Sequence, residues 1–166
     1  MDNQLFIVCP FSSLETFLQN KYGKNSFFLT YSGAVLQYQD LDYLLDVKDF
    51  IFREKIRTIF IVNDTSCRFI NGIIKQKKKL GFESEKIIEE LYIDNYFSDF
   101  KEQNIDHQLF KLTELNIKNQ INGLVNSTLL GSHIADLDIK VKGLITSKEN
   151  KFYKEINTEK YLIHEL

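Results

Sequence analysis

Residues 58–67 read Thr58-Ile59-Phe60-Ile61-Val62-Asn63-Asp64-Thr65-Ser66-Cys67. A run of β-branched and aromatic side chains without a charge passes directly into a run of small polar ones. A short apolar stretch bounded by turn-forming residues is the pattern of a strand buried on both faces. That burial requires helices above and below a parallel sheet. The change of character at Asn63 marks the strand's carboxyl end.

The same pattern recurs outward from this segment. Leu5-Phe6-Ile7-Val8-Cys9 is a second such run, stopped by Pro10, the single proline of the chain. Ser26-Phe27-Phe28-Leu29-Thr30-Tyr31 is a third, closed by the turn Ser32-Gly33. Helical patterns separate the strands. Ser12 and Glu15 stand at capping-box spacing ahead of Leu14, Phe17 and Leu18, and Tyr22-Gly23 ends that helix. Leu44, Leu45, Val47, Phe50, Ile51 and Phe52 predict a helix over 42–55. A helix from Arg68 turns Phe69, Ile70, Ile73 and Ile74 inward and Lys75 and Lys77 to Lys79 outward. Two further helices are expected at 83–102 and 106–126. A last strand spans Asp138 to Ile145, and Phe152 to Ile156 returns antiparallel to it. Strands alternating with helices give an α/β class: a three-layer fold with a mostly parallel β-sheet and a C-terminal antiparallel strand. The chain of 166 residues fits one domain, 1–166.

Composition narrows the function. Hydrophobic residues are 43% and charged residues 27%, ordinary for a globular protein and incompatible with a disordered or collagen-like chain. A formal net charge of -2 provides no global basic field, so no nucleic acid or membrane surface is expected as a partner. No apolar run reaches the ~18 residues of a membrane span. The start, Met1-Asp2-Asn3-Gln4, lacks the cationic flank of a signal peptide. With two cysteines in the whole chain, a reducing cytoplasm is the expected location.

Ligands of open parallel sheets bind beyond the strands' carboxyl ends, where the strand order reverses. If the strands ending at Cys9 and Val62 are neighbours, with the Ser26–Tyr31 strand outside the first, Cys9 and Cys67 meet at that point. Two thiols and the Asp64 carboxylate form a donor set for zinc. Two cysteines far apart in sequence are a weak zinc signal by themselves, and the same residues read more simply as buried apolar-like cysteines and a loop or helix-capping aspartate. No nucleophile elbow and no glycine-rich phosphate loop occurs. Lys75 and Lys77 to Lys79 read as a solvated helix face, with Glu83, Glu85, Glu89 and Glu90 following. His107, His133 and His164 fall outside the two strand-end loops. The aromatic segment Leu91 to Phe100 is either a core helix or a surface that covers a partner.

Taken in order, these segments resemble the β-class carbonic anhydrases. Cys9-Pro10-Phe11-Ser12-Ser13 stands where that family has Cys-x-Asp-x-Arg. Phe27 to Gly33 is similar to its strand leading into a small-residue turn. Asp64-Thr65-Ser66-Cys67 stands where it has His-x-x-Cys. Asn116-Ile117-Lys118-Asn119-Gln120-Ile121 resembles its helical Asn-Val-x-x-Gln-Val, and Ile139 to Gly143 the strand after it. The resemblance implies a zinc site on Cys9, Asp64 and Cys67, with Phe11, Ser13 and Gly33 around the pocket.

The departures fall on the chemistry. Phe11 replaces the aspartate and Ser13 the arginine that orient the zinc-bound hydroxide, and Asp64 replaces the ligand histidine. Phe11 offers no acceptor or charge, and Ser13 cannot grip a carboxylate bidentately. A carboxylate in place of a neutral imidazole adds negative charge and leaves zinc-bound water less acidic. A large Phe11 is further expected to fill the old pocket. The implied protein is carbonic-anhydrase-like and has lost hydration. It serves as a binding or assembly protein, with a protein partner, a second copy of itself or a small anion such as bicarbonate as ligand. The alternative is a zinc-dependent lyase using Cys9, Asp64 and Cys67. The cofactor expectation is accordingly either none or Zn2+.

Overall fold

The computed structural model describes residues 1–156. His164 lies outside the described residues. In chain order the elements are β1 (Asn3–Val8), α1 (Glu15–Tyr22), β2 (Ser26–Thr30), α2 (Leu41–Arg53), β3 (Ile56–Asp64), α3 (Arg68–Ile74), α4 (Glu83–Asp94), α5 (Ile105–Val125), α6 (Gly131–Asp136), β4 (Lys140–Ser147) and β5 (Phe152–Ile156). The five strands form one sheet in the order β2-β1-β3-β4-β5. β2, β1, β3 and β4 run parallel, and β5 pairs antiparallel with β4. The expected mixed sheet with its antiparallel last strand is the one observed.

The two-residue period of a strand divides the core into layers. Leu5 and Ile7 of β1 and Ile59 and Ile61 of β3 point to one face, where α2, α5 and α6 add Leu44, Ile51, Ile117, Ile121 and Ile134. Phe6, Val8, Phe60 and Val62 point to the other, against Leu14 and Leu18. The rings of Phe6 and Phe60 stack there, with centroids 4.8 Å apart. Each fully buried side chain of this size stabilises the fold by about 1.5–3 kcal/mol. This two-sided demand explains why the strands read as unbroken apolar runs. A third cluster caps the carboxyl end of the sheet and contains both cysteines.

Some local expectations give way to tertiary partners. The Ser12–Glu15 capping box does not form; α1 starts after Leu14, which offers no side-chain cap. The long helix expected over 83–102 is broken. α4 stops at Asp94, where the Asn95 side-chain amide donates to the Leu91 carbonyl (2.8 Å). Tyr96 to Phe100 then form a wider π-type turn, its Lys101 N–H reaching back to the Tyr96 carbonyl. The break divides the aromatic segment: Phe100 is buried, with Tyr92 packed on it, while Phe97 is 81% exposed. The segment is thus partly core and partly surface. α6, carrying a half-buried His133, was not apparent from periodicity. Among the described residues no helix is long and apolar enough to cross a membrane.

Candidate functional site

The order β2-β1-β3 places the reversal of chain direction across the sheet between β1 and β3. Ile7 pairs with Ile61, so the two strands finish side by side. Cys9 follows β1 directly and Cys67 lies in the loop after β3. Both thiols are free, 1% exposed, and hydrogen-bonded to one another. Val35, Phe69, Ile70, Ile88, Phe100 and Leu112 surround them with apolar surface.

The pair behaves as a coupled acid. The hydrogen bond from Cys67, aided by N–H groups of Phe11 and Gly33 and opposed by burial, pulls the Cys9 thiol down to about 6. The Cys67 thiol is pushed well up, first because it donates to Cys9, then by burial and the neighbouring charge. The hydrogen bond thus makes the first proton of the pair easier to lose and the second harder.

Gly33 completes this corner. Its N–H donates to Cys9 Sγ at 3.2 Å, and its carbonyl accepts from Asn116 Nδ2 at 2.8 Å. It adopts φ 65°, and a Cβ there would stand 2.9 Å from Ile88 Cδ1, so glycine meets both the backbone and the space requirement. Asn116 also donates to Asn63 Oδ1 (3.0 Å), and Gln120 Oε1 accepts from the Leu36 N–H (2.9 Å). The two polar residues of the α5 motif therefore hold the segment after β2 in place.

Asp64 is placed differently from the thiols. It is wholly buried at the end of β3, opposite Thr146 in the β3–β4 register. One carboxylate oxygen accepts from the Ser66 N–H (2.9 Å) and the Ser66 hydroxyl. The other accepts from the Thr146 hydroxyl and the Lys148 N–H (3.1 Å). The helix-capping expectation does not hold, since Cys67 occupies the N-cap of α3. Asp64 instead ties the β3 loop to the end of β4.

Lys148, unforeseen in the sequence, then reaches across the rim. Its Nζ donates to the Ser12 and Ser13 carbonyls at 3.2 and 3.4 Å. That contact fixes the loop after β1, in which Ser13 takes φ 50°. Phe11 does not fill the old pocket. It is 47% exposed and lays its ring edge-on against Phe69 and Phe82, with Arg68 over its face. The loop turns outward after Pro10, so Phe11 covers the rim rather than its interior. A cavity of about 830 Å3 lies elsewhere, lined by residues including Arg68, Lys75, Lys77, Lys78 and Tyr92.

The expected zinc set can be tested against this arrangement. A catalytic zinc takes three protein donors and an open position. Cys9 and Cys67 come together, but among the described residues no group of three His, Cys, Asp or Glu side chains could hold a metal. Asp64 turns both oxygens onto four other donors. As arranged, these residues do not fit such a zinc.

A parallel sheet of this order, with a cysteine after each of its two central strands and an antiparallel edge strand, defines a specific fold. It is the fold of the β-carbonic anhydrases. The β-carbonic anhydrase CafA of Aspergillus fumigatus superimposes with a TM-score of 0.79 at 19% identity, over 98% of this chain and 80% of that one. A Coccomyxa β-carbonic anhydrase in complex with acetazolamide gives 0.77 at 17% identity, over 93% and 72%. A tetrameric β-carbonic anhydrase of Sordaria macrospora gives 0.77 at 14%, over 94% and 81%. The sequence matches no family model and no curated protein, so the likeness is one of fold.

Proposed function

We propose that this chain is a carbonic-anhydrase-like protein that does not hydrate carbon dioxide and acts as a binding or assembly protein. The observation that carries the reading is the commitment of Asp64 to Ser66, Thr146 and Lys148. Hydration needs a metal that lowers the pKa of bound water to about 7. It also needs a group that orients the resulting hydroxide. Here the third donor is engaged elsewhere, and Phe11 and Ser13 offer no carboxylate–guanidinium pair at the rim. The same hydrogen bonds suit a structural rim that keeps the β1, β3 and β4 loops together. Exposed Ile93 in the last turn of α4 and Phe97 in the turn after it supply apolar surface for a protein partner or a second copy of the chain.

A second reading draws on the surviving thiols. Cys9, lowered to about 6, is a ready anionic sulfur for a metal. A zinc-dependent lyase would then require Asp64 to leave its present partners. Stopped-flow hydration with zinc-supplemented protein, alongside its molar mass by light scattering, separates the two. The binding reading expects the buffer rate and a defined oligomer or complex. A zinc-dependent rate abolished by Cys67→Ala would overturn it.

A further inference from the structure

Among the described residues the thiol pair has no third His, Cys, Asp or Glu donor, and its surroundings are apolar apart from the Ser12 hydroxyl beside Cys9; that combination selects a different kind of ion from zinc. We propose that Cys9 and Cys67 form a two-coordinate site for a soft monovalent d10 metal ion, copper(I) or its analogue silver(I). This inference rests on the reading above that zinc lacks a third donor here.

Donor number comes first. Zinc held by two sulfurs must recruit two further ligands, as protein donors or water. Val35, Phe69, Ile70, Ile88, Phe100 and Leu112 share the apolar cluster of the two cysteines, and the Ser12 hydroxyl beside Cys9 is a neutral, hard oxygen that is a poor match for a soft ion. A monovalent d10 ion is satisfied by two thiolates on opposite sides, and soft sulfur donors favour it over harder cations. Asp64, the nearest carboxylate in sequence, is engaged with four donors and adds no hard oxygen.

Charge comes second. Two thiolates and one monovalent ion leave a single negative charge in an apolar environment. Backbone N–H groups already point at both sulfurs, from Gly33 and Phe11 to Cys9 and from Ile70 and Phe69 to Cys67. Such outer donors stabilise a thiolate site and fix its ligands. On binding, thiol protons pass to solvent and two sulfur–metal bonds replace the thiol hydrogen bond, with no change of oxidation state.

Access comes third. With both sulfurs 1% exposed, the ion enters only when the rim opens. The loop after β1 is held there by Lys148 Nζ on the Ser12 and Ser13 carbonyls. Lys148 is thus expected to set the rate of entry without touching the ion.

The test uses the full chain, reduced and kept anaerobic, with copper(I) supplied by a colorimetric copper(I) chelator, and silver(I) in a parallel series. The expected result is one ion per chain, a sulfur-to-metal charge-transfer band, a raised melting temperature and loss of both thiols to a thiol reagent. Cys9→Ser and Cys67→Ser each remove the stoichiometric binding while melting cooperatively without metal. Asp64→Asn keeps one ion per chain, and Lys148→Ala speeds uptake without changing stoichiometry. Failure of the native chain to take copper(I) from the chelator overturns the proposal. So does unchanged binding in a cooperatively melting cysteine variant. Because that result leaves the hydration assay untouched, it does not decide the reading above; zinc retention with hydration would remove both.

Discussion

Asp64 and Cys67 stand three residues apart in one loop at the end of β3, both buried, and they are held in opposite ways. The Asp64 carboxylate is saturated, with four donors from the β3 loop and the end of β4. The Cys67 thiol faces another thiol in an apolar cluster. The first arrangement stiffens the fold and leaves nothing for a ligand. The second leaves two soft donors facing each other. A site that binds metal through three residues needs all of them aimed inward, and here one has been redirected into the scaffold.

The comparison breaks most visibly at Asp64. Asp64→Ala takes the charged acceptor away from the buried Thr146 hydroxyl and from part-buried donors of Ser66 and Lys148, and each hydrogen bond to a charged group contributes about 1.5–3 kcal/mol. A loss of about 3 kcal/mol or more is expected, lowering Tm by roughly 6–12 °C, since 1 kcal/mol corresponds to about 2–4 °C at this size. Thermal denaturation checks it; a Tm within a degree of the native chain would mean that Asp64 is not the tie described. Gly33→Ala comes next, because the left-handed backbone and the 2.9 Å approach to Ile88 Cδ1 both resist a Cβ. About 1–2 kcal/mol is expected, with a rise in the Cys9 pKa as its N–H donor shifts.

Cys67→Ala tests the other half. Removing the donated hydrogen bond should move the titration of Cys9 up from about 6 toward its ordinary 9.0, followed by thiolate absorbance against pH. The sign for stability follows. A group lowered on folding stabilises above its unfolded pKa, and that contribution fades as pH falls through about 6. In the native chain the raised Cys67 acts in the opposite direction at alkaline pH. The native minus Cys67→Ala difference should therefore shrink on acidification. A difference that stays constant across this range would argue against the thiol–thiol hydrogen bond. Lys148→Ala has the smallest effect, below about 1 kcal/mol, because its Nζ is at the exposed rim. Faster amide exchange confined to the loop after β1 is the sharper readout.

Much of this was legible in the sequence, for a physical reason. Burial on both faces forces Leu5 to Val8 and Ile59 to Val62 to be apolar throughout, so the strands could be read forward; the meeting of Cys9 with Cys67 followed only on the condition that β1 and β3 are neighbours with β2 outside, which the observed order meets. Asp64 could not. Its partners Thr146 and Lys148 lie more than eighty residues downstream, and only the β3–β4 register brings them near. Phe11 failed for a related reason: its size was visible, but the outward course of the loop after Pro10 was not. The break at Asn95 was hidden because apolar periodicity persists through a π-type turn.

The central claim is that Asp64 serves the scaffold and leaves the thiols without a third donor. Equilibrium dialysis of the reduced chain against buffered free zinc, followed by elemental analysis, tests it directly. The account predicts no stoichiometric zinc and no change on Asp64→Asn. One zinc per chain, lost in both Cys67→Ala and Asp64→Asn, would contradict it.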